Sequence, residues 1–270
     1  MAIMPVDMET GEVVIETHCV RSRKQIDAFA ERQKSLNETK RKNTYFTFSM
    51  MENIQEVSNV LTTAQCGYLL LLQCYVEYNT GVLINADNTP MRTKDMIQVL
   101  QLKRKRQTFY DFFNTCLDNG VILEVGDGKY AVNQRYHFKG VTTSNKVVRS
   151  YSAKVRQVYD EVKASDLGLI YRMLPYVHFK HNGLCANPFE DGENTQWFSM
   201  VGLAKTVGVS REYLTRRLPK ITFGNEYVIA KIRTGGETFF MFNPMVFRRR
   251  IREPNDTEKA IFHVKKKGKR

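Results

Sequence analysis

The chain repeats itself, and that repetition restricts its fold more than any other feature. Gly81-Val82-Leu83-Ile84-Asn85 is echoed by Gly183-Leu184-Cys185-Ala186-Asn187, and Asn133-Gln134-Arg135-Tyr136-His137-Phe138-Lys139 by Asn243-Pro244-Met245-Val246-Phe247-Arg248. The two glycines lie 102 residues apart and the two closing asparagines 110, so the copies share one order of elements, with about eight extra residues in the second. Self-similarity at a fixed spacing marks one structural unit used twice. A chain of 270 residues has room for two such units, each able to bury a core.

What the unit is can be read from Thr93 to Val132. Thr93 is an N-cap candidate for a short helix with Met96, Ile97 and Leu100 at one-turn spacing, ending near Gln101. A second helix follows, with Phe109, Phe112, Phe113, Cys116 and Leu117 on one apolar face and Gly120 at its end. Its opposite face begins with Lys103, Arg104, Lys105 and Arg106 and continues through Gln107, Asp111 and Asn114. Cations and amides pointing away from a core suit phosphates and base edges. Val121–Val125, the turn Gly126-Asp127-Gly128 and Lys129–Val132 then make a hairpin. In the second copy Ser199 caps a helix carrying Met200, Leu203, Ala204 and Val207, Gly208 makes the turn, and Ser210 caps the next helix. That helix sends Leu214 and Leu218 inward and Arg211, Glu212, Thr215 and Arg216 outward, with Arg217 beside them, until Pro219 breaks it. Tyr227–Arg233 and Thr238–Phe242 supply a second hairpin. The order of each copy is that of a winged helix-turn-helix.

The remaining segments frame these copies. The fold expected is α+β: an N-terminal arm over residues 1–42, winged domains at 43–140 and 164–250, a helical connector at 141–163, and a basic tail at 251–270 whose end, Lys265–Arg270, is expected to be disordered. Ser22 to Lys42 has helical composition, and Arg21, Arg23, Lys24 and Lys40-Arg41-Lys42 make it cationic. Tyr45–Phe48 reads as an edge strand, Met51–Val60 as a helix, and Thr62 or Thr63 caps a long buried helix that runs to about Tyr78 and is centred on Tyr68–Leu72. In the connector Val148, Tyr151, Val155 and Val158 fall at helical spacing.

Charge and residue usage narrow the function classes. A formal net charge of +13 spread through folded-looking segments favours a polyanionic partner, nucleic acid before a membrane surface. No apolar run approaches the roughly 18 residues of a membrane span, and Met1–Glu12 lacks a signal-peptide core, so a cytoplasmic protein is expected. Five cysteines, Cys19, Cys66, Cys74, Cys116 and Cys185, form no CxxC pair and suit reduced, mostly buried thiols. His178, His181 and Cys185 lack a fourth ligand at zinc-like spacing, and Glu190, Asp191 and Glu193 read as a solvated turn, so neither metal nor cofactor is expected. There is no phosphate-cradling G-x4-G-K-[ST] sequence and no histidine-apolar-histidine pair of the nickase type, which disfavours an enzyme.

Over most of its length the chain resembles the tandem winged-helix proteins carried by phages and plasmids of Gram-positive bacteria. The likeness runs from Thr10-Gly11-Glu12-Val13 through Thr63-Ala64-Gln65-Cys66-Gly67-Tyr68 to Phe223-Gly224-Asn225-Glu226-Tyr227 and Asn243-Pro244. The first and last of these are also similar to RepL-type plasmid replication proteins. Three functions stay open. The first is a sequence-specific double-stranded DNA-binding transcription regulator able to bind as a monomer. The second is a replication initiator at an origin. The third is an adaptor docking on host replication or transcription proteins. The expected DNA-contacting residues are Lys103, Arg104, Lys105, Arg106, Gln107 and Asp111 in the first copy and Ser210, Arg211, Glu212, Thr215, Arg216 and Arg217 in the second.

Overall fold

A computed structural model of the chain describes residues 23–32, 45–234, 237–249 and 252–264. The chain divides into two compact units, residues 1–42 and 43–270. In the first the described stretch is a helix, α1, at residues 23–32, with all ten side chains exposed. Arg21 and the Lys40-Arg41-Lys42 cluster lie outside the described residues.

The larger unit is α+β, with short helices and small antiparallel sheets. Its first half runs β1 (Phe46–Met50), α2 (Ile54–Val60), α3 (Thr63–Leu72), α4 (Thr93–Val99), α5 (Arg106–Asp118), β2 (Ile122–Glu124), β3 (Tyr130–Val132) and β4 (His137–Phe138). The second half repeats the order with β5 (Val147–Tyr151), α6 (Ser152–Glu161), α7 (Ala164–Met173), α8 (Met200–Val207) and α9 (Arg211–Arg217). After these come a small extra hairpin, β6 (Thr222–Phe223) and β7 (Glu226–Tyr227), then β8 (Ile229–Thr234), β9 (Glu237–Phe242) and β10 (Phe247–Arg248). A last helix, α10 (Asp256–Ala260), follows.

The halves meet twice. In a four-stranded sheet of order β10-β5-β1-β4, the two central strands pair antiparallel across the halves, and each closing strand takes an outer edge. β1 is therefore a central strand and not the edge strand expected. α3 also packs on α7, and the two backbones approach closely at Gly67 and Gly168. A Cβ on Gly67 would lie 1.9 Å from the Ala164 carbonyl oxygen, and one on Gly168 would lie 1.6 Å from that of Thr63. α3 is capped as expected, the Thr62 hydroxyl accepting from the Gln65 amide while the Gln65 side chain accepts from Thr62 N–H. It ends at Leu72, shorter than expected, and Leu69 to Leu72 all lie in one core that runs through both halves.

One further expectation fails for a physical reason. The connector is not a helix throughout: Val147–Tyr151 is strand β5, because Val148 and Ser150 alternate with Val147 and Arg149 and a partner strand, β1, is at hand. In the C-terminal stretch, residues 252–264 carry a short helix and a buried anchor. Asn255 and Glu258 form a capping box for α10, and Phe262 is fully buried against Ala230 and Met241. Residues 265–270 lie outside the described ones.

Candidate nucleic-acid interface

Each half carries two short helices joined by a tight turn, followed by a hairpin. The turns are built alike: Leu102 N–H donates to the Ile97 carbonyl, and Val209 N–H donates to the Ala204 carbonyl. Each is preceded by a left-handed residue, Gln101 at φ 57° or Gly208 at φ 75°. At the start of α4 the cap is Arg92 rather than Thr93, with the Asp95 carboxylate accepting from Arg92 N–H at 2.9 Å. In the second half Ser199 accepts from Gly202 N–H and Ser210 from Tyr213 N–H, both at 3.1 Å, so both expected caps are made.

α5 begins at Arg106, which leaves Lys103, Arg104 and Lys105 in the turn before it instead of on the helix. All four cations are exposed, as are Gln107, Asp111 and Asn114, while Phe109, Phe112, Phe113 and Cys116 are buried. Gln107 donates to Asp111 Oδ1 at 2.7 Å, one helical turn on, which holds the two as a paired amide and carboxylate. Tyr110, 42% exposed, stands on the same face and was missed in the sequence because an aromatic beside Phe109 reads as core. The Lys103–Lys105 turn borders a shallow groove of about 520 Å³ with Gln98 and Gln101.

On α9, Ser210, Arg211, Glu212, Thr215 and Arg216 are exposed. Arg217 is not among them. Its guanidinium donates to both oxygens of the buried Asp166 carboxylate, with Nε–Oδ1 at 2.8 Å, and that bond raises the arginine pKa further. It anchors α9 to α7. The hairpins differ in charge. β8 adds the exposed cations Lys231 and Arg233, which alternation along one strand could have singled out, whereas the first hairpin carries Glu124 and Asp127, with Lys129 paired to Asp127 at 3.7 Å. In the first turn Gly126, Asp127 and Gly128 all have positive φ, which the glycines allow.

The other groups that the sequence singles out make contacts within the fold. His178 Nε2 donates to the Glu190 carbonyl at 2.7 Å and Nδ1 accepts from Lys180 N–H, so both ring nitrogens are occupied. Among the described residues no three His, Cys, Asp or Glu side chains cluster as metal ligands. Burial pushes the thiols of Cys66 and Cys185 up to about 11 and that of Cys74 to about 12, and raises Cys116 as well. All four are free and buried. Among the described residues no helix is long and apolar enough to cross a membrane.

Comparison of the chain with protein-family models, curated proteins and solved structures gives no match.

Proposed function

We propose that this chain is a sequence-specific double-stranded DNA-binding protein built from two tandem winged helix-turn-helix units, acting as a transcription regulator of a phage or plasmid. The observation that carries the reading is the doubled one. Two helix pairs of the same build, each followed by a hairpin, turn outward the polar and charged side chains of the second helix: Arg106, Gln107 and Asp111 on α5, just after the cationic turn Lys103–Lys105, and Arg211, Glu212, Thr215 and Arg216 on α9. An α-helix fits the major groove, where Arg pairs with guanine and Gln with adenine. The cations around them supply the phosphate contacts that fix register, and the net charge of +13 supplies long-range attraction.

A second reading, an adaptor that docks on a host protein, draws on an apolar cleft of about 350 Å³ beside the second hairpin, with Met200, Leu218, Ile229, Phe240 and Ile261 in its walls. Gel shifts of the full chain against its own upstream region, a candidate origin and random duplex separate the readings. Preferential binding upstream supports the regulator, preferential binding at the origin moves the assignment to an initiator, and no preference together with a co-purifying host protein assigns the adaptor.

A further inference from the structure

We infer that the chain is an internal dimer whose two reading helices are related by an approximate two-fold axis, so that one chain takes an imperfect inverted repeat of DNA and not a direct repeat. The inference rests on the DNA-binding reading above and adds the symmetry of the target.

The strand register requires the axis. Between β1 and β5 the partners are Phe46 with Tyr151, Thr47 with Ser150, Phe48 with Arg149, Ser49 with Val148 and Met50 with Val147. Since Phe46 corresponds to Val147 in the repeat and Met50 to Tyr151, each pair is answered by its own exchange, about a centre at Phe48 and Arg149. That reciprocity is the signature of a two-fold interface between identical patches. The closing strands obey it, with Phe48 on Phe138 answered by Arg149 on Arg248, and Ser49 on His137 by Ser150 on Phe247. The helices obey it as well, Gly67 lying against Ala164 and Gly168 against Thr63.

Each reader is then fixed to its half in the same way. Leu83 N–H donates to the Tyr130 carbonyl and Val132 N–H to that of Gly81, and their counterparts are Leu184 N–H to Phe240 and Phe242 N–H to Asn182. The repeat register in this region is thereby one residue off the one the glycines imply: Gly81 answers to Asn182, both with positive φ, and not to Gly183. Met91 N–H to Leu83 is matched by Phe198 N–H to Leu184 just before the helix pairs, and the tight turns match as described. From the caps onward Lys105 answers to Ser210, Arg106 to Arg211, buried Phe109 to Leu214 and buried Phe113 to Leu218.

The consequence for DNA follows from its own dyad symmetry. Readers related by a two-fold meet half-sites in inverted orientation, whereas readers related by translation along the chain would meet a direct repeat. Both readers open with an exposed arginine, Arg106 or Arg211, so the half-sites share the base those side chains read. They diverge where Gln107, Tyr110 and Asp111 face Glu212, Thr215 and Arg216. The symmetric part of the site is the arginine-read part.

The test is selection of bound duplexes from a random pool by the purified full chain. The expected product is an inverted pair of half-sites with a guanine at mirror-related positions and different bases around it. Inverting one half-site in the selected duplex should lower affinity by about tenfold or more, and Arg106→Ala and Arg211→Ala should each lower it by roughly tenfold while relaxing a different one of the two guanines. Both side chains are exposed, and unchanged melting of the variants separates lost contacts from lost fold. A selected direct repeat, a single half-site, or two variants relaxing the same guanine overturns the inverted-repeat inference and leaves DNA binding standing. A pool with no enriched duplex overturns the DNA-binding reading itself.

Discussion

Arg216 projects into solvent near the end of α9, while its neighbour Arg217 holds the carboxylate of Asp166, whose side chain is 2% exposed. Removing Arg217 leaves that carboxylate buried without its cation, so Arg217→Ala should lower stability by about 3 kcal/mol, read as a shift of the urea midpoint. Arg216→Ala should leave the midpoint unchanged and weaken DNA binding. Equal midpoints for the two variants would contradict the assignment. The sequence placed both arginines on one face, because at the end of a short helix a one-residue step turns a side chain by about 100° and only the position of Asp166, 51 residues away, decides which is inward. His137 makes a second residue-scale prediction. Ser49 donates to Gln73 Oε1, so its oxygen accepts from His137 Nδ1 at 3.0 Å, and His137 Nε2 accepts from Tyr171 at 3.0 Å. The ring is fully buried and neutral, and burial lowers its pKa to about 3. Below about pH 6.5 the unfolded chain takes up a proton that the folded chain refuses, so stability falls as pH falls, by roughly 1.4 kcal/mol per unit. Burial also lowers the pKa of His178, which acts in the same direction. Urea unfolding between pH 7 and 5 should show this loss in the native chain and less of it in His137→Asn; matching slopes would discount His137.

At the scale of elements the α3–α7 crossing carries the most consequence. Both glycines approach backbone, which no side-chain rotation relieves, so Gly67→Ala and Gly168→Ala should each cost about 3 kcal/mol or more. Gly202 in α8 is the control. Its added Cβ meets nothing nearer than 3.4 Å, and alanine there should be neutral or stabilising, because alanine favours a helix interior by up to about 1 kcal/mol. Chemical denaturation of the three variants checks this, and intact stability in the first two would mean the helices can part. This contact was not legible in the sequence. Gly67 and Gly168 sit inside helices whose apolar runs predict burial but not what they are buried against. Ser199, Ser210 and Gly208 were legible because caps and left-handed turns are settled by residues within four positions. β5 was misread for the opposite reason. Its valines fit a helix or a strand equally, and the choice was made by β1, about a hundred positions away.

At the scale of the whole molecule the repeat changes what a single chain can do. On the proposed DNA-binding reading, the surface by which two separate copies of the unit would pair is already internal, formed by β1 on β5 and α3 on α7, so the expected binding species is one chain per duplex. Its charge sets how that complex responds to salt. Lys103, Arg104, Lys105 and Arg106 stand at the first reader, and Arg211, Arg216, Lys231 and Arg233 at the second, all exposed. If the five that read no base, Lys103, Arg104, Lys105, Lys231 and Arg233, each neutralise one phosphate, they predict a slope of log K against log salt of about −4.5, and hence a loss of affinity of roughly five-hundredfold between 50 and 200 mM salt. Fluorescence anisotropy with the selected duplex over that range measures it. Removing Lys231 and Arg233 together should flatten the slope by about two and weaken all sequences alike, since charges that meet phosphates carry no base information. A slope shallower than about −2 in the native chain would mean these cations do not meet the DNA backbone, and the readers would then have to be sought on another face.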